Sequence, residues 1–406
     1  MIGNTILRKC IVIGIILLFV VTIFSPIINA HHSTIIPIIS EKDNTKVISC
    51  LSNPCFKRGP GTIITDMSII LSASLTMCDY DNDNDTDFIV GNVNNVYLLE
   101  KINQTFYESH FIYRLPNNPD GYADDLYRGG LTSADYNNDG KEDFITGGVQ
   151  GVVRLFINNC TNQSISFNMK EIKDFPQTAW GLTSADFNND GCMDFAASWA
   201  YLNFTHSTIS IFYNNGNAEF NQEDIFIHYE RYIKDLNSGD YDNDGDIDIL
   251  FSHDIVKVHR GIPLNVIGVV SMLSNDGNNN FGNETIVTKR GSGFLFGGPI
   301  ILGYLMPLRN LIGVDRICQK VTSSDFDNDG DLELLIGDNS GKVEFYDNDG
   351  TGKFSTGGVI YDFGSCSWGL ASADFDADGD IDVIIAASQR PDFIGHIYLK
   401  YNQIIQ

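Results

Sequence analysis

Ser324–Leu334 reads SDFDNDGDLEL, and five other stretches repeat its pattern. They are CDYDNDNDTDF from Cys78, ADYNNDGKEDF from Ala134, ADFNNDGCMDF from Ala185, GDYDNDGDIDI from Gly239 and ADFDADGDIDV from Ala373. The first aspartates are Asp79, Asp135, Asp186, Asp240, Asp325 and Asp374, so successive units are 56, 51, 54, 85 and 49 residues apart. The agreement runs outward from the acidic loop. GLTSAD precedes it at Gly130 and Gly181, and GLASAD at Gly369. A short apolar run follows (FITGG, ILFSHD, LLIGD, VIIAAS), then a second alternating run (VVRLFINN, TISIFYNN, KVEFYDNDG, HIYLKYN). Short apolar runs rich in Val, Ile, Phe and Tyr, bounded by Gly and Asn turns, are strands. No sustained helical periodicity interrupts them. About four strands in about 50 residues is the pattern of a propeller blade. The expected fold is an all-β propeller of about six four-stranded blades, with seven as the alternative.

The phase of the repeat predicts how the ring closes. The last unit runs loop, strand, strand and ends at Gln406, one strand short. SIILSASLTMCDY from Ser68 matches DFGSCSWGLASADF, so the N-terminal stretch is expected to supply the missing strand. Pairing of terminal strands removes the open edges of the sheet. The 85-residue interval is expected to hold insertions around Gly261–Gly268 and Gly291–Asn310.

The rest of the chain bounds the environment. Arg8 and Lys9 precede an apolar run, Ile11 to Phe24, followed by Ser25, Pro26 and a candidate cleavage point after Ala30. That run is shorter than the roughly 20 residues a spanning helix needs. Residues 1–30 read as a signal peptide or an N-terminal anchor, 31–61 as a linker and 62–406 as the propeller, which places the protein outside the cell or on its surface. Ile28 is an imperfect small residue before the cleavage point, which keeps the anchor reading open. A formal charge of -26, from 52 acidic and 26 basic residues, repels nucleic acid and anionic lipid. No nucleic-acid partner is expected, and the membrane enters only through an uncleaved N-terminus. Eight cysteines include Cys10 in the export segment, and no CxxC pair is present, which argues against zinc and redox motifs. Cys50 and Cys55 could close a small loop, whereas Cys318 and Cys366 occupy nearly equivalent repeat positions. Sequons stand at Asn103, Asn159, Asn162, Asn203 and Asn283.

The loops carry the chemistry. Oxygen side chains alternate at positions 1, 3, 5, 7 and 9, and 27 of the 52 acidic residues lie in the six loops. Carboxylates so close repel one another unless a cation gathers them. Calcium takes six to eight oxygen ligands and suits a tight turn that converges several carboxylates. Gly140, Gly191, Gly245, Gly330 and Gly379 stand at position 6, with Asn84 in the first loop. An EF-hand would need an acidic residue at position 12, where Val90, Thr146, Ala197, Phe251, Ile336 and Ile385 stand. The expected cofactor is Ca²⁺, up to one ion per loop. Asn137 and Asn188 replace carboxylates, and Lys141 and Cys192 occupy position 7, so loops two and three should bind most weakly.

From about residue 62 onward these units resemble the FG-GAP/VCBS repeat family, the calcium-binding propeller repeats of integrin α-subunit heads. The resemblance implies that side chains at positions 1, 3, 5 and 9, with the carbonyl at 7, hold the ion. Those are Asp79, Asp81, Asp83 and Asp87; Asp135, Asn137, Asp139 and Asp143; Asp186, Asn188, Asp190 and Asp194. In the later units they are Asp240, Asp242, Asp244 and Asp248; Asp325, Asp327, Asp329 and Glu333; Asp374, Asp376, Asp378 and Asp382. Glu333 departs conservatively. The resemblance implies adhesion or binding of an extracellular protein or glycan.

Catalytic motifs are not found. The histidines at 110, 206, 228, 253, 259 and 396 form no HExxH, and neither a GxSxG elbow nor a P-loop occurs. Trp180 and Trp368 share a repeat position and read as blade packing; Phe294–Leu311, broken by Pro299 and Pro307, is a candidate face or partner site. The expectation is a binding module and not an enzyme. A carbohydrate-active propeller and a purely structural scaffold are the alternatives.

Overall fold

The structure is a computed structural model that describes residues 62–65, 74–116, 130–293, 318–389, 394–400 and 402, less short interruptions in turns and loops. The export segment, the linker, Phe294–Leu311, Cys50, Cys55, Cys366, Asn84 and Asp376 lie outside the described residues. The described residues contain strands and no helix.

After β1 (Thr62–Thr65), the first blade is β2 (Ser74–Cys78), β3 (Asp87–Asn92), β4 (Asn95–Asn103) and β5 (Phe106–Arg114). The second is β6 (Leu131–Ala134), β7 (Asp143–Thr146), β8 (Val152–Asn158) and β9 (Phe167–Asp174). The third is β10 (Ala179–Ala185), β11 (Asp194–Ala200), β12 (His206–Asn214) and β13 (Phe220–Tyr229). The fourth is β14 (Ile233–Gly239), β15 (Asp248–His259), β16 (Ile262–Leu273) and β17 (Thr285–Gly293). The fifth is β18 (Cys318–Ser324), β19 (Glu333–Asp338), β20 (Lys342–Asn348) and β21 (Phe354–Asp362). The sixth is β22 (Ser367–Ala373), β23 (Asp382–Gln389) and β24 (Ile394–Lys400), with β1 as its fourth strand. Six antiparallel four-stranded sheets thus form a six-bladed propeller. The first strands touch in cyclic order, β2 to β6, β10, β14, β18, β22 and back to β2.

Terminal pairing closes the ring, but not through the expected segment. Ser74–Cys78 is the inner strand of blade one, because it runs without a turn into the first acidic loop. The closing strand is the earlier TIIT, with Thr62 opposite Leu399 and Ile63 opposite Tyr398. Of the insertion expected at Gly261–Gly268, Ile262–Gly268 lie in β16. β15 and β16 pair from Ile249↔Leu273 out to His259↔Ile262, a hairpin of two 12-residue strands.

Burial peaks at the second strand of a blade and is least at the rim. Every described residue of β7, β11 and β19 is buried, whereas most of β9 and β21 is exposed or half-buried. Strands covered on both faces read as continuous apolar runs. The outermost strand of each blade is an edge, and a register shift occurs where each joins its neighbour. Such bulges twist an edge away from pairing with other chains. Apolar clusters bridge adjacent blades: Phe187 and Ile209 of blade three pack with Ile233 and Phe251 of blade four. Leu75 and Phe88 of blade one pack with Ile384 and Leu399 of blade six.

Two repeat residues have packing reasons. A Cβ on Gly181 would stand 2.8 Å from the backbone nitrogen of Leu236 and 2.9 Å from the carbonyl carbon of Asp235. The glycine therefore lets neighbouring inner strands approach. Gly181→Ala is expected to cost about 1–3 kcal/mol by overpacking, read as a lower denaturant midpoint at unchanged slope. The Thr-Ser pair after it forms a belt of hydroxyls between blades. Thr76 meets Ser133 at 2.8 Å, Thr132 meets Ser184 at 2.7 Å and Thr183 meets Ser238 at 2.7 Å. Ser323 donates to Asn237, and Thr322 lies 3.3 Å from Ser372. At the sixth junction both partners are replaced, by Ala371 and Met77, which pack in one apolar cluster. Replacing both members avoids the orphaned hydroxyl that replacing one would leave.

Candidate metal centres

Each acidic loop joins the first strand of a blade to the second, so all six open on one face of the propeller. Their frame is built by the backbone. The position-1 carboxylate accepts the N–H of position 5 at 3.0–3.1 Å in all six loops. Its other oxygen accepts the position-6 glycine N–H at 2.8–3.0 Å in loops two to six. Two left-handed residues make the turn. Position 6 has φ between 84° and 98° at the five glycines, and position 4 is left-handed at Asn138, Asn189, Asn243 and Asn328, with φ of 56° to 60°. Asn is the residue after glycine that best tolerates this conformation.

The position-9 carboxylates are buried beneath the loops: Asp87, Asp143, Asp194, Asp248, Glu333 and Asp382 are at most 1% exposed. One oxygen of each accepts the N–H of position 2, from Tyr80, Tyr136, Phe187, Tyr241, Phe326 and Phe375. In the five aspartates the second oxygen accepts an N–H from the third strand or the residues just after it, of Lys101, Asn158, Asn214, Asn275 or Asn402. Glu333 differs: its Oε1 is buried with no hydrogen-bond partner. Oδ1 of Asp81, Asp242 and Asp327, at position 3, is likewise buried and unpartnered. Ligand atoms of Asp79, Asp81 and Asp87, of Asp240, Asp242 and Asp248, and of Asp325, Asp327 and Glu333 lie within 4.8 Å of one another. Unpaired buried anionic oxygens are costly. Their convergence fits a hard, oxygen-seeking cation such as calcium. Position 5, Asp83, Asp244 and Asp329, lies outside these three tightest groups.

Loops two and three are organised otherwise. Asn137 Oδ1 accepts the Asp139 N–H at 3.0 Å, and its Nδ2 donates to Asp139 Oδ2 at 3.1 Å. Asn188 does the same with Asp190, at 3.1 and 3.0 Å. The amide thus satisfies the loop internally, where a carboxylate leaves an oxygen unpaired. In loop six, Asp374 and Asp378 keep the common frame.

Burial pushes Asp87, Asp143, Asp194 and Asp248 up to about 7 and Glu333 up to about 8, partly offset by the N–H groups they accept. Burial, then the neighbouring Asp329, raises Asp327 to about 6. Burial also raises Asp81 and Asp242, with adjacent aspartates adding to it. A carboxyl that keeps its proton to higher pH in the folded chain makes the folded state bind more protons than the unfolded one. Stability from these groups is fully present below about pH 4 and is lost as pH rises through 7 and 8. In chelator, the melting temperature is therefore expected to fall from pH 5 to pH 8. Calcium should release protons near neutrality and flatten that fall; calorimetry in buffers of different ionisation enthalpy measures the release.

One set of residues escaped the sequence reading. An asparagine at the end of the third strand, or two residues past it, ties the blade to its predecessor. Nδ2 of Asn158, Asn214, Asn275, Asn348 and Asn402 donates to the position-2 carbonyl of the preceding blade, at Tyr80, Tyr136, Phe187, Tyr241 and Phe326. In blade one Lys101 takes this place, reaching the Phe375 carbonyl. The signal was present in the recurring Asn of FINN, FYNN, LSND, YDND and KYN. Away from the loops, His253 is fully buried, its Nε2 2.9 Å from Ser271 Oγ and 3.1 Å from Glu284. The axial cavity, about 260 Å³, is lined by inner-strand residues including Thr76, Thr132 and Thr183, and by the ion pair Asp235–Lys320 at 2.9 Å.

Fold and loops together define a six-bladed propeller with acidic loops on one face. Residues 135–197 and 325–385 match the FG-GAP-like repeat model. Cartilage acidic protein 1 of Xenopus tropicalis is 26% identical over 150 residues, 32% of this chain and 22% of that protein, so the match spans about a fifth of that relative. A solved structure of a lectin from Agrocybe aegerita, described as recognising non-reducing terminal N-acetylglucosamine, covers 82% of this chain and 80% of its own at 18% identity, with a TM-score of 0.45.

Proposed function

We propose that this protein is an exported, calcium-stiffened propeller that binds an extracellular protein or glycan through the face opposite its acidic loops. The observation that carries the calcium reading is the set of buried, unpartnered carboxylate oxygens on Asp81, Asp242, Asp327 and Glu333. In the loops of blades one, four and five, the cation would be held by the carboxylates of Asp79, Asp81 and Asp87, of Asp240, Asp242 and Asp248, and of Asp325, Asp327 and Glu333. Bound there, it would neutralise the loop and lock the turn between first and second strands; the chain's own residues do the rest. The position-9 carboxylates transmit that rigidity into the blade through the N–H groups of position 2 and of the third strand.

The two faces are built differently, which supports the choice of surface. The acidic face consists of short, internally bonded turns. The opposite face receives the long β15–β16 hairpin, whose strands pair out to His259 and Ile262. Variable connections on a rigid scaffold are where binding residues collect. The export segment and the acidic surface support an extracellular setting. The test is a glycan and cell-surface protein array probed with calcium-loaded protein, followed by deletion of the hairpin tip 257–264. A hit that needs calcium and is lost on deletion supports the reading. A hit that the protein turns over chemically favours an enzyme, and retention after deletion places the ligand elsewhere.

A further inference from the structure

Side chains link the acidic loops of neighbouring blades, and the links follow a rule. Nδ2 of Asn189, at position 4 of loop three, donates to Asp246 Oδ1, at position 7 of loop four, at 2.8 Å. Asn243 of loop four donates to Asp331 of loop five at 2.6 Å, and Asn328 of loop five to Asp380 of loop six at 3.1 Å. Each receiving aspartate is also bound into its own loop, its N–H donating to position 5 at 3.0 Å: Asp246 to Asp244, Asp331 to Asp329 and Asp380 to Asp378. Hence position 4 of one loop, between two candidate ligands, is one hydrogen bond from position 7 of the next, two residues before its buried position-9 carboxylate.

The rule stops on either side of this run. Lys141 holds position 7 in loop two and donates to the Cys160 carbonyl at 2.6 Å. Asn138 of loop two donates to the Gly216 carbonyl and also meets the Cys192 thiol, so position 7 of loop three is reached but holds no carboxylate. In loop six, position 4 is Ala377, which carries no amide.

We infer that the loops of blades three to six form an open relay in which a cation bound in one loop favours binding in the next. This deepens the calcium reading above and rests on it. A cation that draws together positions 1, 3 and 9 fixes the turn they span, and with it the asparagine at position 4 in its left-handed conformation. Its amide then holds the neighbouring position 7, so the second loop is partly ordered before its own ion arrives. Ordering supplied by the first ligand is not lost again with the second, which is positive cooperativity. Repulsion between two divalent ions opposes this, and the negative charge retained on Asp246, Asp331 and Asp380 between the loops reduces it. Loop five has two buried oxygens without partners, on Asp327 and Glu333. It fills first, and loops four and six follow.

The test is calorimetric titration of the full, metal-stripped chain with calcium, beside Asn243→Gly, Asp331→Ala and the double variant. Glycine keeps the left-handed turn and removes only the amide; alanine removes the acceptor. The wild-type isotherm should contain a cooperative phase. Each single variant should bind the same number of ions, with that phase split and the weaker half shifted about fivefold or more, at the low end of measured site couplings. The double variant should be no worse than either single one. Independent sites in the wild type, a shift smaller than twofold in both singles, or additive losses in the double variant would overturn the relay while leaving calcium binding intact. If the wild type takes up no calcium, the calcium reading itself falls, and the relay with it.

Discussion

Calcium added to metal-stripped protein is expected to raise its melting temperature by on the order of 10 °C. A ligand present at 100 times its dissociation constant stabilises the folded state by about 2.7 kcal/mol per site. The three loops with unpartnered position-3 carboxylates would together contribute about 8 kcal/mol. For a domain of this length, unfolding entropy converts that into roughly 10 °C. Magnesium, which demands strict octahedral geometry and dehydrates reluctantly, should give less. Asp242→Asn should remove about one loop's share, because the amide can close the loop internally, as Asn137 and Asn188 do. Differential scanning calorimetry in chelator and in excess calcium decides the matter. Equal melting temperatures in the two solutions would mean that the loops are acidic turns and nothing more.

The largest effect of a single substitution is expected at Arg290. Its side chain, 3% exposed, lies between blades four and five. It pairs with Glu344, lies 3.9 Å from Asp338 and donates to the Ile336 carbonyl at 3.4 Å. Its guanidinium also stands 5.9 Å from the centre of the Tyr346 ring. Asp338 is fully buried, and its other oxygen accepts from Ser340 and Lys342. Arg290→Ala leaves these carboxylates buried without their cation, a loss of about 3–5 kcal/mol. Adding Glu344→Gln should recover part of it, since one uncompensated charge is then gone. Denaturant midpoints measured in excess calcium separate this effect from the metal loops. A loss below 1 kcal/mol would show that water reaches the cluster.

Much of this architecture is local, and local features are legible in a sequence. The alternating aspartates of Asp240–Asp248 and Asp325–Glu333 name candidate ligands because the loop is a single tight turn. The runs VIIAAS and LLIGD name second strands because burial on both faces requires continuous apolar side chains. The weakness assigned to loops two and three also reads locally: Asn137 and Asn188 lack the charge, and the folded loops use their amides to bond position 5 instead. By contrast, Asn158 and Asn214 looked like ordinary turn residues. Their function depends on carbonyls 78 residues away in the chain, at Tyr80 and Tyr136, which no spacing within one unit announces.

The repeat thus determined the blade and the acidic loops, since each follows from periodicity and from turn chemistry over a dozen residues, whereas the choice of six blades over seven came from the sheet topology. Tertiary structure alone decided which N-terminal strand closes the ring. TIIT at Thr62–Thr65 and SLTMC at Ser74–Cys78 are both plausible strands, and only the pairing with Leu399 and Tyr398 selects the first. It also decided which asparagine reaches the next loop, and that the sixth junction of the hydroxyl belt is apolar. These features involve two partners brought together by closure of the ring, so their energies exist only once the blades stand side by side.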